Sequence, residues 1–192
     1  MNSDRFLEES SVDPAGETME ISRKLQLAFD VQECIMGLNL GNLESSEEMR
    51  ILMRNAFNLK ITNINLSRGN LDLDSLCYAM NTLQISTNVD IRGKFPSGFS
   101  HENALNFKSI YYEDANWVTL DMLKLIKTGE SLQLQNTNLT SLELNQFLLY
   151  WLSCEDDVMR QIQLDSNAEI DEYILFAGIT VEQTSDQNCY LM

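Results

Sequence analysis

The residues of this sequence that could take part in a reaction are few and far apart. The chain has one histidine, His101, which lies beside Glu102. A histidine can act as the general base for a serine or cysteine nucleophile, but no Gly-x-Ser-x-Gly turn accompanies it. A surface histidine explains the pattern better. We therefore predict that the protein is not an enzyme, and a hydrolase that uses the His101 region is the alternative.

Metal and cofactor sites find no support in the residue spacing. Zinc sites need ligand pairs at CxxC or HxxxH spacing, and the cysteines form no such pair. The acidic residues lack the spacing and the fixed glycine of a calcium loop. We therefore predict no metal and no cofactor. The four cysteines are Cys34, Cys77, Cys154 and Cys189.

The two ends of the chain suggest its compartment. Residues 1–20 are acidic and lack the apolar run of a secretory signal, so we expect free thiols in the cytoplasm or nucleus. The chain ends Cys189-Tyr190-Leu191-Met192, which fits the C-a-a-X pattern. Cys189 is therefore a candidate for lipidation. An accidental tetrapeptide is the alternative, because no basic patch precedes it to assist a single lipid.

The charge balance favours a protein partner. The chain carries 29 acidic and 13 basic residues, a net charge of −16. Binding to nucleic acid or to an anionic membrane needs a basic patch, and none is visible. No apolar stretch approaches the roughly 18 residues of a membrane span. We therefore expect neither nucleic acid binding nor a transmembrane segment.

One segment, residues 131–152, shows how the chain is built. Leu132-x-Leu134 places two leucines on one face of a short strand. Residues 136–138 are turn-prone and should break the strand. Thr140 and Glu143 then form a capping box that opens an amphipathic helix. Such a strand–helix unit buries its apolar face only against a stacked neighbour.

The strand of this unit recurs along the chain. Equivalent apolar positions fall at spacings of 25, 21, 22 and 30 residues. Leucine-rich repeats have periods of about 20–29 residues. The spacing predicts an α/β fold, a short leucine-rich-repeat-like arc with strands on one face and helices on the other. An ordinary open α/β sheet is the alternative. The equivalent positions are Ile64, Val89, Ile110, Leu132 and Ile162.

Side chains alternate along a strand, so the residues between the apolar ones should point to the open face of the arc. They are amides, mixed charges and one tyrosine, which suit protein recognition. We predict this face as the partner-binding site. Its residues are Asn65, Asp90, Arg92, Tyr111, Glu113, Gln133, Gln135 and Gln163.

The sequence divides into three parts. We predict a disordered acidic leader over residues 1–17, an α/β domain over 18–179 with its repeat tract at 60–179, and a flexible tail over 180–192. Within the domain, weak alternation predicts a strand in residues 18–29. Leu38-x-Leu40 resembles a further repeat, and a capping box predicts a helix over 45–57.

The segment Asn116-Trp117-Val118-Thr119-Leu120-Asp121 is followed by Ser131-Leu132-x-Leu134 and by Leu144-Asn145-x-Phe147-Leu148-x-x-Trp151. Together these segments resemble the F-box-associated domain that is expanded in nematode F-box proteins. The resemblance covers roughly residues 59–179 and implies a protein-interaction module that selects substrates for a ubiquitin ligase. That family carries an F-box before this domain, and residues 1–21 do not resemble one. A degenerate paralogue without activity is the alternative. The segment Met159-x-x-Ile162 is also similar to that domain.

Overall fold

The fold is known from a computed structural model, which describes residues 14–29, 35–39, 47, 51, 61–67, 71–127, 129–154, 159–183 and 189–191. Helices and strands follow one another along these residues. In chain order they are α1 (Pro14–Phe29), β1 (Ile35–Asn39), β2 (Asn63–Ser67), α2 (Leu73–Thr82), β3 (Asn88–Arg92), β4 (Ser109–Tyr112), α3 (Leu120–Lys124), β5 (Gly129–Thr137), α4 (Ser141–Leu152), β6 (Met159–Ser166), α5 (Glu172–Leu175), β7 (Val181–Gln183) and β8 (Cys189–Leu191).

Strands β1 to β6 form one parallel sheet in sequence order, and every strand pairs with its neighbours in the chain. The α/β class agrees with the prediction. The register also agrees, because all five predicted equivalent positions pair with one another across the sheet. In order they are Ile64, Val89, Ile110, Leu132 and Ile162.

One face of this sheet is apolar and buried. Ile64 and Leu132 expose none of their surface, and Val89 and Ile110 each expose 2%. Side chains of α2, α3 and α4 pack in the same core cluster, among them Leu76, Leu123 and Phe147. Helices therefore cover the apolar face, which removes its surface from water and stabilises the stacked strands.

The central unit has the predicted capping box. Thr140 Oγ1 accepts the backbone N–H of Glu143, and a Glu143 carboxylate oxygen accepts that of Thr140 at 2.8 Å. The predicted break over residues 136–138 is wrong in detail. Strand β5 continues to Thr137 through a bulge, and Asn136 takes a left-handed conformation at φ 56°. Asparagine tolerates this conformation better than most residues, so the strand bends there without ending.

Asparagine side chains join successive turns at the carboxyl ends of the strands. Asn138 Nδ2 donates to the carbonyl of Asn116 at 3.2 Å, and Asn136 Nδ2 donates to that of Glu113 at 2.6 Å. Asn167 Nδ2 donates in the same way to the carbonyl of Asn136 at 3.0 Å. These amides satisfy carbonyls that face no neighbouring strand. Each of these asparagines therefore links one turn to the preceding one.

The connection from β3 to β4 contains no helix and is packed by aromatic rings. Phe95 and Phe99 lie 5.0 Å apart between centroids, and both contact Trp117 at 5.0 and 4.7 Å. Tyr112 is buried beside them and donates its hydroxyl to the carbonyl of Ala104 at 2.6 Å. Burial raises the pKa of Tyr112, since the phenolate would lose its hydration. The rings thus take the place of a helix in this repeat.

The predicted strand within residues 18–29 is wrong. Residues 18–29 lie in α1 and not in a strand, and Glu20 forms ion pairs with Arg23 at 2.9 Å and Lys24 at 3.4 Å. Such pairs three and four residues apart support a helix. The Arg23 hydrogen bond lowers the pKa of Glu20 to about 2. The alternation of apolar residues in this segment is weak, and the strand prediction left out the ion pairs that favour a helix.

The remaining predicted elements are placed as follows. The sheet pairs Leu38 with Leu66 and Met36 with Ile64, so the first repeat begins at Met36 and not at Leu38. The predicted helix 45–57 lies outside the described residues except for Glu47 and Ile51, which are helical. The predicted tail contains the antiparallel pair of β7 and β8.

We expect Glu143→Gln to change how stability depends on pH. The backbone hydrogen bond from Thr140 holds the pKa of the Glu143 carboxyl below its usual 4.5. A lowered folded-state pKa stabilises the protein above the unfolded-state pKa, and this contribution is lost as the pH falls through the folded-state value. The stability difference between the native protein and Glu143→Gln should therefore shrink below about pH 4.5. Urea unfolding at a series of pH values measures it, and parallel curves would contradict it.

Two leucines that pair across the last two strands should differ in their contribution to stability. Leu134 exposes none of its surface, whereas its register partner Leu164 is half-buried. Leu134→Ala should lower the free energy of unfolding by about 2–5 kcal/mol, and Leu164→Ala by clearly less. Urea unfolding compares them directly. Equal losses would show that β6 is covered as fully as β5.

Candidate protein-binding face

The predicted partner-binding residues come together in one row across the sheet. Asn65, Asp90, Tyr111, Gln133 and Gln163 occupy equal register positions on β2 to β6. Each sits between two apolar residues of its strand, so its side chain points away from the helices. Asn65 and Gln163 are exposed and the other three are half-buried. We call this side of the sheet the polar face.

A connected group of side chains lies near the middle of the polar face. Arg92 binds Asp90 through three contacts between nitrogen and carboxylate oxygen, at 3.0 to 3.3 Å. Its guanidinium carbon lies 5.2 Å from the ring centroid of Tyr111. Tyr111 in turn donates its hydroxyl to Gln135 Oε1 at 3.0 Å. We call these four residues the Arg92 cluster.

The electrostatics of the Arg92 cluster keep it ordered and charged. The hydrogen bonds to Asp90 and its negative charge raise the pKa of Arg92, and the charge of Glu113 acts in the same direction. Ion pairs at exposed sites contribute little to stability, and 61% of the Arg92 side chain surface is exposed. The ion pair matters for the orientation of the Arg92 side chain rather than for the stability of the fold. The carboxylate and the ring hold the guanidinium in one orientation at the surface.

The structure adds a second row that the sequence reasoning missed. Asn63, Asn88, Ser109 and Ser131 pair in register, two residues before the predicted row on each strand. Asn88 Nδ2 donates to Asn63 Oδ1 at 2.7 Å. The reasoning began each strand at its first apolar residue. Extending the alternation one step earlier would have found these four.

Between the two rows lies a shallow depression of ≈ 170 Å³. Its lining includes side chains from both rows, mainly amides and hydroxyls. Pockets that hold cofactors or drug-sized ligands measure about 300–1,000 Å³. This depression is too small for such a ligand, but a side chain from a partner protein would fit.

The candidate catalytic residue lies in a local turn. His101 Nδ1 accepts the backbone N–H of Asn103 at 3.2 Å. In the part of the chain that the structure describes, His101 makes no hydrogen bond to a serine, cysteine or aspartate side chain. The same residues contain no group of three or more His, Cys, Asp or Glu side chains that could hold a metal ion. The hydrolase alternative therefore gains no support from geometry.

Two further sequence predictions concern lipidation and membrane insertion. Cys189 lies in β8 opposite Gln183 of β7, and its lipidation stays a prediction. Among the described helices, none is both long and apolar enough to cross a membrane.

Comparison with known families bears on the segment that builds the middle of the sheet. Residues 99–164 match the model of a family described as F-box associated. We call residues 99–164, which are similar to this family, the F-box-associated segment. The resemblance predicted from the sequence is thereby confirmed. The segment runs from the aromatic β3–β4 connection through β4, α3, β5 and α4 into β6.

A curated nematode protein extends the similarity beyond the F-box-associated segment. The chain is 24% identical over 147 residues to the Skn-1 dependent zygotic transcript 15 protein of Caenorhabditis elegans. The alignment covers 73% of this chain and 42% of that protein, so the chain spans less than half of its relative. No solved structure matches the chain.

The F-box-associated segment contains most of the polar face but not all of it. Tyr111, Glu113, Gln133, Gln135 and Gln163 lie inside residues 99–164. Asn65, Asp90 and Arg92 precede it. The Arg92 cluster therefore joins residues from inside the matched segment to residues before it. Any partner that covers the whole face would contact both.

Proposed function

We propose that this protein is a protein-interaction module that binds its partner on the polar face of the sheet. The in-register row from Asn65 to Gln163 is the observation that carries the proposal. Five neighbouring strands present amide, carboxylate and phenol groups side by side, while helices cover the opposite face. The similarity of residues 99–164 to the F-box-associated family supports an interaction role in place of a catalytic one.

The shape and chemistry of the face favour a protein over a small molecule. The depression of ≈ 170 Å³ is shallow and smaller than the pockets of about 300–1,000 Å³ that hold drug-sized ligands. Tyrosine and arginine are enriched in protein interfaces, and here Tyr111 and Arg92 stack on each other near the centre of the face. A fixed aromatic–guanidinium pair surrounded by amides is a suitable anchor for a partner surface.

We also propose that the sheet and its helices form a short arc of the leucine-rich-repeat kind. Three observations support it: the strand order follows the sequence, α3 packs on α4 and α4 on α5, and the register repeats without offset. In repeat arrays each unit packs on its neighbours, and the strands line a binding surface. An arc of this kind would place the polar face on its strand side.

The resemblance to F-box proteins extends the proposal to ubiquitin-dependent turnover. In that setting the polar face would select a substrate, and ligase components would be further partners in the cytoplasm or nucleus. Contact with a ligase adaptor is a separate part of this proposal. The substrate-selecting role can be tested apart from the adaptor contact.

Removing side chains from the polar face should weaken partner binding without unfolding the protein. We expect Tyr111→Ala, Gln133→Ala and Gln163→Ala each to reduce the recovery of a captured partner several-fold, because hot-spot truncations cost about 1–2 kcal/mol or more. Affinity capture from nematode cells with quantitative mass spectrometry measures recovery. Melting temperatures should stay within a few degrees of the native value.

A matched control separates binding from folding. Gln146 is exposed on α4, on the helical side, so Gln146→Ala should keep both recovery and stability. Parallel loss of recovery and stability in the face variants would show that these side chains are structural. Unchanged recovery in all three would refute the face as the binding site. Ligase subunits in the same capture would decide the turnover role separately.

A further inference from the structure

Strand β6 is the last strand of the parallel sheet among the residues that the structure describes. On the side away from β5, no described strand pairs with β6. Two apolar side chains of β6 are also less buried than their partners on β5. Ile162 and Leu164 are half-buried, although their register partners Leu132 and Leu134 expose none of their surface. A strand edge flanked by partly covered apolar side chains is a template for a further strand.

The sequence of β6 is complementary to itself. Two copies related by a two-fold axis perpendicular to the sheet would pair their β6 strands antiparallel, with opposite residues on the same face. If the axis passes through Gln163, Ile162 lies opposite Leu164 of the second copy on the apolar face. Gln161 then lies opposite Asp165 of the second copy, and Gln163 opposite itself, on the polar face.

Neighbouring registers fit less well. A shift that moves the axis to Ile162 would set Leu164 against the charged Arg160. A shift by one position in the pairing would set apolar residues of one copy against polar residues of the other, because the side-chain period of a strand is two. The register centred on Gln163 pairs both half-buried residues with apolar partners.

We propose that β6 is a homodimerisation edge, which joins two copies into one continuous sheet with the helices of both on the same side. The second copy covers Ile162 and Leu164. The dimer is weak, because pairing of two strands buries less than the roughly 1,200 Å² of a stable interface. Two copies with a charge of −16 each repel one another, so added salt strengthens the dimer. The edge shares Gln163 with the polar face, but self-association is measured on the protein alone, so its tests do not depend on the partner-binding proposal.

Cysteine cross-linking tests the register. In the Gln163→Cys variant the two introduced thiols face each other across the axis, at a Cα separation of about 4.5–5.5 Å that suits a disulfide. Mild oxidation should give a covalent dimer, and peptide mapping should locate the bond at position 163. The control Gln161→Cys places its thiols about four residues apart along the strands, roughly 13 Å, and should not cross-link to itself.

Charge variants at an exposed position test the interface in solution. Gln161→Lys adds two lysine–aspartate pairs per dimer and should tighten self-association about fivefold, whereas Gln161→Glu should weaken it about fivefold. Sedimentation velocity over a concentration series measures the change. Gln146→Lys on α4 has the same charge change away from the edge and should act only through net charge.

Two results would overturn the proposal. One is a monomer at every concentration and salt level together with no cross-link at position 163. The other is equal tightening by Gln161→Lys and Gln146→Lys, which would assign the effect to net charge alone. Because Gln161 and Gln163 are exposed, these variants should fold normally, and circular dichroism confirms it.

Discussion

The structure depends on one steric constraint, the equal register of apolar side chains on successive parallel strands. Ile64, Val89, Ile110 and Leu132 stack directly on one another, and each covers its neighbour. Because side chains alternate along a strand, the apolar row also determines which residues point to the opposite face of the sheet. Once the apolar row is fixed at these positions, the residues one step away must point from the helices toward the polar face. A slip of a single residue would bury the amides and expose the core.

The polar face gains its order from contacts within and between strands. Arg92 is held by Asp90 on its own strand and by Tyr111 on the next, and Tyr111 is held by Gln135 after that. The four side chains thus connect three strands. A partner that binds here meets groups already in place, so little side-chain entropy is lost on binding. Asn63 and Asn88 join β2 and β3 in the same manner.

Much of this arrangement could be predicted from the sequence, and the failures have physical causes. The equivalent apolar positions of the strands and the capping box depend on short sequence patterns, so residue spacing and residue type were enough to predict them. The helix at residues 14–29 was missed because its pattern is weak and its support comes from the ion pairs of Glu20. The row from Asn63 to Ser131 was missed because short polar residues give no apolar signal. The aromatic filling between β3 and β4 depends on long-range contacts that no local window shows.

Asn136 illustrates how narrow the choice of residue becomes where two demands meet. Its backbone is left-handed at φ 56°, and its side-chain N–H donates a hydrogen bond to the Glu113 carbonyl in the preceding turn. Glycine adopts this conformation freely but has no side chain to donate. Aspartate tolerates it, but an ionised carboxylate only accepts. Among the residues that enter this conformation readily, asparagine alone meets both demands, so we expect relatives with the same bulge to retain an amide at this position.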